Sequence, residues 1–378
     1  KFQMIKHSNH SNKISILLPN LSIGGAEKLS INLANKWQEM GFKVEIVVLQ
    51  EAPTGDDLSS LISHGVELKI LHTPSLSKSI FPLVKYFQSS KSTLSIAAMW
   101  PLTIIATIAW NFAGRKGKLF LSEHTQLSIS MMHEFQINKF FLRTTIFIFY
   151  RLATGIIAVS KGVRSDLSGL GFLSVDKIKV IYNPVINEDI KHGSYSDPYL
   201  AYWKKPNYKL LAAGTLKAQK DFTMLIRAID KVNLDKPVSL IILGEGPERE
   251  HLEKLIISLN LKDQIKLPGY VMDPSPYFEF ADIFILSSAW EGFGNVLVEA
   301  LEKGTPVVST DCKSGPSEIL DGGKYGALVP VNDHNLCAHA IEETLTRKHD
   351  KQMLIERSKL FSVNKISMEY LDYFGASK

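Results

Sequence analysis

The sequence has very little cysteine and no long run of lysine and arginine. Its only two cysteines, Cys312 and Cys337, do not form a CxxC pair among the 378 residues. A disulfide framework and a structural zinc site are therefore not expected, and a reducing cytoplasm fits best. The formal net charge is only +5, so nucleic acid is not expected as a partner.

Neither a signal peptide nor a membrane-spanning helix is expected. Residues 1–12 are polar and lack an apolar core, which is typical of a disordered lead-in rather than a signal peptide. Residues 93–114 carry no charge and are long enough to span a membrane, but Pro101 interrupts them. We therefore predict a buried strand over 94–98 and a buried helix that ends near Phe112, with a spanning helix as the alternative.

Short apolar runs alternate with amphipathic helical stretches in two successive series. With 45% hydrophobic and 21% charged residues, the composition is that of a soluble globular protein. The alternation predicts α/β architecture with doubly wound parallel sheets, and the length predicts two domains. A polar stretch at 183–207 separates the series, so we predict domains at 1–186 and 187–362. The helical pattern within 363–378 is expected to pack back on the first domain.

The apolar runs fix the expected strands. In the first domain they are 13–19, 44–49, 66–71, 94–98, 118–122, 155–159 and 178–182, and a helix is expected over 26–40. In the second domain the expected strands end at Gly214, Gly244, Gly269, Ser288 and Thr310. Because ligands of such sheets bind beyond the carboxyl ends of the strands, the loops that follow these strands are the candidate site.

Two loops of the first domain have unusual residues. Gly24 and Gly25 follow the first strand and open a helix, where glycine lets backbone N–H groups approach an anion. A tight turn alone would also use such a pair. The strand at 118–122 runs directly into Glu123-His124-Thr125, which puts a histidine at the edge of the sheet. His124 is either a site residue or a structural one.

Two loops of the second domain suit a nucleotide. Gly214 is followed by Lys217 and Lys220, whose charges suit a diphosphate, although both lysines could be solvated surface residues. The sequence GEGPE at 244–248 has two glycines that expose backbone donors where a planar base could lie, although a simple turn has the same composition.

The densest pattern is SSAWEGFGNVLVEALEKGTPVV. Glu291 lies in the loop after a strand, Gly292 and Gly294 open the turn, and a helix begins near Asn295 and contains Glu299. Unpaired N–H groups and the helix dipole at such a terminus can hold a diphosphate without a metal. The two carboxylates can then bond sugar and ribose hydroxyls. Alternatively, they are ordinary surface carboxylates that stabilise the helix electrostatically.

The spacing EGFGNVLVE, an E-x7-E motif, resembles that of the family 4 retaining glycosyltransferases of the GT-B fold. The segments GGAE, SEHT, IAVS and IYNPV also match, so the resemblance covers nearly the whole chain. It implies two Rossmann-like domains that face a cleft. It also implies that Glu291 contacts the transferred sugar, that Glu299 contacts the ribose, and that the backbone around Phe293-Gly294-Asn295 holds the distal phosphate.

The chain departs from the family at the phosphate loop. The usual pattern there is Gly-Arg-Leu followed by a lysine, whereas this chain has Gly214-Thr215-Leu216 and then Lys220. Lys220 keeps the phosphate role by resemblance, and whether Lys217 supplies the second charge stays open. His124 is expected near the sugar, where it helps to position the reacting centre.

The resemblance therefore gives a complete expected site. The catalytic residues are His124, Lys220 and Glu291. The donor-binding residues are Gly24, Gly25, Gly214, Thr215, Lys217, Lys220, Gly244, Glu245, Gly246, Pro247, Glu291, Phe293, Gly294, Asn295, Val296 and Glu299.

The implied reaction is the transfer of a hexose or N-acetylhexosamine from a nucleoside diphosphate, expected to be UDP, with retention of configuration. The leaving phosphate would take the acceptor's proton, so no enzyme nucleophile is required. The sequence has no DxD-like metal site in the right context, so neither a metal nor another cofactor is expected. The expected acceptor is a glycan, linked to a polyprenyl diphosphate, in bacterial surface polysaccharide or glycoconjugate assembly. A nucleotide-sugar epimerase of the same fold and a non-catalytic nucleotide-sugar-binding or scaffold protein are the alternatives.

The stretch from 137 to 155 interleaves Lys139, Arg143 and Arg151 with aromatic and aliphatic residues. Such a segment either lies on an anionic membrane or forms a half-buried helix. With Lys85 and Lys91, it favours a cytoplasmic protein that handles a lipid-linked acceptor at the inner face of the cytoplasmic membrane.

Overall fold

The structure, a computed structural model, describes residues 13–52, 57–134, 137–188, 203 and 206–376. The expected polar lead-in at 1–12 and most of the polar stretch between the two series lie outside these residues. The chain divides into two units. The first holds the described residues up to Ala158, Arg164–Ile181 and those from Ser367 onward, and the second holds Val159–Val163 and the described residues of Tyr182–Ile366.

The first unit contains a seven-stranded parallel sheet. Its spatial order is β3-β2-β1-β4-β5-β6-β7, so the order reverses between β1 and β4. The strands are β1 Lys13–Leu18, β2 Lys43–Val48, β3 Val66–Ile70, β4 Leu94–Ala98, β5 Lys118–Glu123, β6 Gly155–Ala158 and β7 Ile178–Val180. All seven were predicted, with limits that differ by at most two residues.

Helices follow most of these strands. They are α1 Gly25–Glu39, α2 Ile80–Ser89, α3 Leu102–Phe112, α4 Leu127–Glu134, α5 Lys139–Phe149 and α6 Lys161–Gly171. Short 3₁₀ turns occur at Ser59–Leu61, Leu76–Ser79 and Val175–Lys177. Helix α1 ends just before Gly41, whose φ of 90° is a backbone conformation that favours glycine.

The uncharged segment 93–114 forms a strand and a helix, as predicted. Every residue of β4 is buried, and α3 begins immediately after Pro101. The proline therefore divides the apolar run into two elements that both belong to the core. None of the helices in the described part of the chain combines the length and apolar character needed to cross a bilayer.

The second unit contains a six-stranded parallel sheet in the order β10-β9-β8-β11-β12-β13. Its strands are β8 Tyr208–Ala213, β9 Val238–Leu243, β10 Ile265–Gly269, β11 Ile283–Leu286, β12 Val307–Thr310 and β13 Ala327–Val329. Five of them were predicted. Strand β13 was missed because it has only three residues and lies between Gly326 and Pro330, so it lacks the apolar run that marks the others.

The helices of this sheet are α7 Phe222–Ile229, α8 Arg249–Ser258, α9 Ser275–Phe280, α10 Asn295–Glu302, α11 Pro316–Ile319, α12 His334–Thr346 and α13 Lys351–Ser358. Two 3₁₀ turns occur at Ala218–Lys220 and Lys359–Phe361. A continuous apolar core joins α7 and α12 to β8, β9 and β11, with Leu210, Leu225 and Ile341 completely buried. This core fixes the strand ends from which the loops of the site extend.

The last described helix, α14 Val363–Phe374, returns to the first sheet. The ring of Trp37 on α1 meets Tyr370 and Phe374 at centroid distances of 5.9 and 6.1 Å, and Phe120 of β5 meets Phe374 at 4.5 Å. The Trp37 indole N–H donates to the carbonyl of Ser367. These edge and tilted ring contacts confirm that the terminal helix packs on the first domain.

Candidate functional site

The order of the second sheet reverses between β8 and β11, its topological switch point. The chain leaves β8 toward β9 on one side and leaves β11 toward β12 on the other. The loops after these two strands diverge and leave a crevice, which is where doubly wound sheets bind their ligands. Lys220 follows β8 and Glu291 follows β11, so both predicted catalytic residues of this unit border the crevice.

Lys220 and Glu291 form a direct ion pair. Lys220 Nζ lies 2.5 Å from Glu291 Oε1, and the two side chains are only 15% and 8% exposed. The hydroxyl of Ser288 donates to the same carboxylate oxygen at 2.7 Å, and the hydroxyl of Ser287 donates to the backbone carbonyl of Lys220 at 2.6 Å. The serine pair at the end of β11 therefore positions both partners, a role that the sequence analysis did not assign.

The turn after Glu291 is braced by two further serines. The hydroxyl of Ser314 lies 2.9 Å from the carbonyl of Glu291 and 3.0 Å from that of Gly292, and the hydroxyl of Ser160 donates to Gly292 at 2.8 Å. A Cβ on Gly315, whose φ is 91°, would lie 1.8 Å from the carbonyl oxygen of Phe293. The loop therefore depends on small side chains and close backbone contact, which a search for charged motifs does not find.

Helix α10 begins directly at this turn. Its N-cap is Gly294 with a φ of 104°, which has no side chain to cap the first turn. Asn295 accepts a hydrogen bond from the amide of Asn183 at 2.8 Å. Phe293 is buried, whereas Val296 and Glu299 are half-buried. The terminus thus combines positive dipole potential with N–H groups that point out of the helix, the arrangement that suits an anion.

The loops after β8 and β9 are in close backbone contact. The N–H of Gly214 donates to the carbonyl of Leu243 at 2.9 Å, and a Cβ on Gly244 would lie only 2.0 Å from the carbonyl oxygen of Gly214. A Cβ on Gly246 would likewise crowd the backbone of Leu216. The predicted glycines of these loops therefore allow the two turns to approach each other. Thr215 is exposed, and Lys217 is half-buried.

Glu245 forms a salt bridge with Arg249, four residues later in the chain. Its carboxylate lies 2.5 Å from Nη2 of Arg249 and accepts from Nε of the same side chain at 2.8 Å. This two-point contact with Arg249 holds the pKa of Glu245 below its usual range. The Glu245 side chain is 55% exposed, and Pro247 is also exposed, so this loop lies at the surface beyond β9.

In the first unit, Gly24 and Gly25 lie where β1 gives way to α1. Gly24 is the N-cap, and Gly25 is the first helical residue. Gly24 has no side chain to cap this terminus, and Glu27 lies in the first turn, where burial raises its pKa. The glycine pair thus opens a helix of 15 residues at the switch point of the first sheet.

His124 lies next to a buried carboxyl group. The residue is half-buried, its Nε2 is 3.1 Å from the hydroxyl of Ser122, and its Nδ1 is enclosed without a hydrogen-bond partner in the described structure. This burial lowers the pKa of His124 to about 4. The imidazole is consequently neutral at pH 7, and a neutral ring orients a ligand through hydrogen bonds rather than charge.

Glu123 is completely buried and ties three elements together. Its carboxyl group accepts from the hydroxyls of Thr103 and Tyr150 and from the backbone N–H of Trp100 at 3.2 Å. Burial raises the pKa of Glu123 to about 7 despite these donors. The residue links the loop after β4 to the end of β5 and thereby fixes the backbone that carries His124, a role that the sequence analysis did not give it.

Within the described residues, no three histidine, cysteine, aspartate or glutamate side chains are placed so that they could hold a metal ion together.

Two family models match the chain in succession. The model described as Glycosyltransferase Family 4 matches residues 23–188, and the model described as Glycosyl transferases group 1 matches residues 202–361. The first contains the Gly24-Gly25 and His124 loops, and the second contains the Lys220 and Glu291 loops.

Relatives and solved structures agree with these models. The chain is 33% identical over 273 residues to the N-acetylgalactosamine-N,N'-diacetylbacillosaminyl-diphospho-undecaprenol 4-alpha-N-acetylgalactosaminyltransferase of Campylobacter jejuni, covering 71% of this chain and 72% of that protein. A second Campylobacter jejuni protein, an alpha-1,4-N-acetyl-D-galactosaminyltransferase for a diphospho-undecaprenol-linked saccharide, is 27% identical, covering 97% and 99%. The structure of Anabaena HepE in complex with UDP-glucose superposes with a TM-score of 0.79 at 21% identity, covering 97% and 100%. With two parallel Rossmann-like sheets, two consecutive family models and a relative one third identical over most of its length, the chain belongs to the family 4 glycosyltransferases of the GT-B fold.

Proposed function

We propose that this glycosyltransferase moves a hexose or N-acetylhexosamine from a UDP-linked donor to a glycan on a polyprenyl diphosphate, with retention of the anomeric configuration. The observation that carries the donor site is the buried pair of Lys220 and Glu291 at the switch point of the second sheet. An uncapped helix terminus begins three residues after Glu291. A cation, a dipole end and a carboxylate in one crevice match a sugar diphosphate.

Each of these groups has a defined task in the proposal. The charge of Lys220 and the N–H groups at the start of α10 stabilise the departing diphosphate, where negative charge develops. Glu291 accepts hydrogen bonds from hydroxyls of the transferred sugar, and Glu299 accepts them from the ribose. Glu291 also neutralises Lys220 across 2.5 Å. This pairing keeps both charges compensated until the diphosphate and the sugar hydroxyls supply new partners.

The reaction needs no protein nucleophile. The bond from the anomeric carbon to the diphosphate oxygen breaks, the bond to the acceptor oxygen forms on the same face, and the acceptor's proton goes to the leaving phosphate. The protein contributes orientation and electrostatic stabilisation. Because Lys220 and the helix terminus supply the positive potential, we also propose that transfer needs neither a metal nor another cofactor. His124 stays a prediction as a residue that positions the reacting centre.

The sugar and acceptor classes rest on the relatives. The two Campylobacter jejuni names specify N-acetylgalactosamine and diphospho-undecaprenol-linked saccharides, and the Anabaena structure contains UDP-glucose. The first name also specifies an alpha linkage, which a retaining enzyme forms from an α-linked donor. These acceptors are membrane lipids, so we place the activity on the cytoplasmic face of a membrane, in the assembly of a bacterial glycan.

The test is a donor screen followed by a transfer assay. Thermal stabilisation by UDP, UDP-glucose and UDP-N-acetylhexosamines identifies the donor, because a ligand of the native state raises the melting temperature. Transfer to a prenyl-diphosphate saccharide is then followed by UDP release, with and without EDTA, and the anomeric configuration of the product is read by NMR. Glu291→Gln should abolish turnover, whereas Glu302→Gln, at the last residue of helix α10, should not. Inverted product, loss of turnover in EDTA or an active Glu291→Gln variant would each refute the corresponding part of the proposal.

A further inference from the structure

Helix α5 presents an outward face on which aromatic rings and cations alternate. Phe140 is 78% exposed, and Phe147 and Ile148 are also exposed, although all three are large and apolar. The opposite side of the helix is anchored by Leu142 and Ile146, which are completely buried. The helix therefore buries a full apolar stripe against its own unit and still leaves a second one in solvent, which marks an interaction surface.

The outward face lines an open groove of about 670 Å³. The groove has apolar walls and a cationic rim; apart from one threonine, its lining residues are Lys139, Phe140, Arg143, Phe147, Ile148 and Phe172. None of these side chains carries a carboxylate. We refer to these six residues as the α5 surface.

Phe172 is held at this surface by a backbone conformation that bulky residues rarely adopt. It follows α6 with a φ of 48° and is 65% exposed. Arg151 donates to the carbonyls of Gly171 and Phe172 at 2.9 and 2.6 Å, and the guanidinium of Arg143 lies 4.8 Å from the centre of the Phe172 ring. These contacts keep an aromatic ring outside the core at a conformational cost, which ordinary folding does not require.

We propose that the α5 surface docks the protein on an anionic lipid bilayer. The phenylalanines and Ile148 enter the boundary between headgroups and acyl chains, and Lys139 and Arg143 contact lipid phosphates at the same depth. A second copy of the chain is a poor alternative occupant, because a two-fold contact would bring the same cations face to face. The inference rests on the proposed membrane-linked acceptor and names the surface that brings the enzyme to it.

The test measures partitioning of the full chain on vesicles by co-sedimentation. The wild type is mixed with vesicles of phosphatidylcholine alone and with vesicles of phosphatidylcholine and phosphatidylglycerol in equal parts. The variant Phe140→Ser/Arg143→Glu removes a ring and reverses a charge on the α5 surface. Since each elementary charge near an anionic surface changes partitioning about fivefold, we expect its binding to fall about twenty-fold or more. The matched control Phe280→Ser/Lys262→Glu changes an exposed phenylalanine and an exposed lysine of the second unit and should bind as the wild type does.

Phe172→Gly is a second variant of the α5 surface that should not lower the stability of the fold, because glycine adopts a positive φ without strain. Its melting temperature should equal or exceed that of the wild type, while its partitioning on anionic vesicles should be weaker. The proposal would be overturned if the wild type did not bind anionic vesicles, or if an α5 variant bound them as strongly as the wild type does. So would a concentration-dependent dimer that the double variant abolishes. Transfer to a detergent-dispersed acceptor should be unchanged in all α5 variants, so failure of docking and failure of the proposed transfer are told apart.

Discussion

Removal of Lys220 tests whether the pair with Glu291 is both a structural contact and the donor site. The two side chains are 15% and 8% exposed, so Lys220→Ala leaves a nearly buried carboxylate without its counterion. Breaking such a pair costs about 3–5 kcal/mol, and we expect about 3 because Ser288 still donates to Glu291. For a domain of this size, that loss lowers the melting temperature by about 6–12 °C.

A double-mutant design separates stability from function. Glu291→Gln should also destabilise the protein, because it leaves the Lys220 charge unpaired. Lys220→Met/Glu291→Gln removes both charges, so neither is left uncompensated, and it should recover most of the melting temperature. Transfer should not recover with it: kcat/KM is expected to stay about 100-fold or more below wild type in all three variants, since the diphosphate has lost its cation or the sugar its carboxylate.

The control for this design is Lys303→Ala. Lys303 lies 3.5 Å from Glu302 in a more exposed pair, which should contribute about 1 kcal/mol or less. Calorimetric melting and UDP release supply both readouts. A Lys220→Ala protein that melts at the wild-type temperature, or a double variant that transfers sugar at the wild-type rate, would refute the reasoning.

Three further predictions concern the two sheets. Gly244→Ala places a Cβ 2.0 Å from a backbone oxygen at a φ of 137°. It should therefore lower the free energy of unfolding clearly more than Gly322→Ala, whose Cβ has open space and which should cost about 1–2 kcal/mol. Equal decreases in melting temperature would contradict this. Phe374→Ala should destabilise the protein by about 3–5 kcal/mol in calorimetry, because the ring is almost completely buried; an unchanged melting temperature would show that the terminal helix contributes little. Burial raises the pKa of Glu123 from 4.5 to about 7 and lowers the pKa of His124 from 6.5 to about 4, so Glu123 makes stability fall as pH rises from 4.5 to 7, whereas His124 makes it rise from pH 4 to 6.5. Relative to the wild type, the melting temperature of Glu123→Gln should therefore rise with pH across this window, and that of His124→Asn should fall. If both variants showed the same pH dependence, the opposite effects assigned to the two residues would be wrong.

Local signals in the sequence predict most of the fold. Strands such as Leu94–Ala98 are continuous apolar runs with a proline or glycine nearby, and such runs need no tertiary information to be recognised. Strand Ala327–Val329 was missed because a run of three residues, of which only Val329 is buried, carries too little pattern. The alternative of a spanning helix over residues 93–114 is wrong for a local reason as well, because Pro101 separates strand β4 from helix α3.

The sequence suggests individual site residues but not the contacts between them. Lys220 and Glu291 were recognised separately, yet their pairing joins positions 71 residues apart and depends on β8 and β11 being neighbours in the sheet. The hydroxyl supports of Ser288 and Ser314 were not predicted, because serine is common in loops and its partners are backbone or side-chain oxygens that only the folded chain brings close. Glu123 was noted beside His124, but its buried contacts come from Thr103 and Tyr150, which are 20 and 27 residues away in the sequence.

The return of α14 to Trp37 has a consequence for synthesis on the ribosome. Chains usually fold one domain after another from the amino end, but here the aromatic side chains that cover Trp37 and Phe120 are translated only after the entire second sheet. Until α14 has been synthesised, the first sheet therefore exposes the apolar surface around Trp37 and Phe120. A fragment that ends at the polar stretch should consequently be prone to aggregation and bind chaperones. The first domain can bury this surface only after Tyr370 and Phe374 have left the exit tunnel.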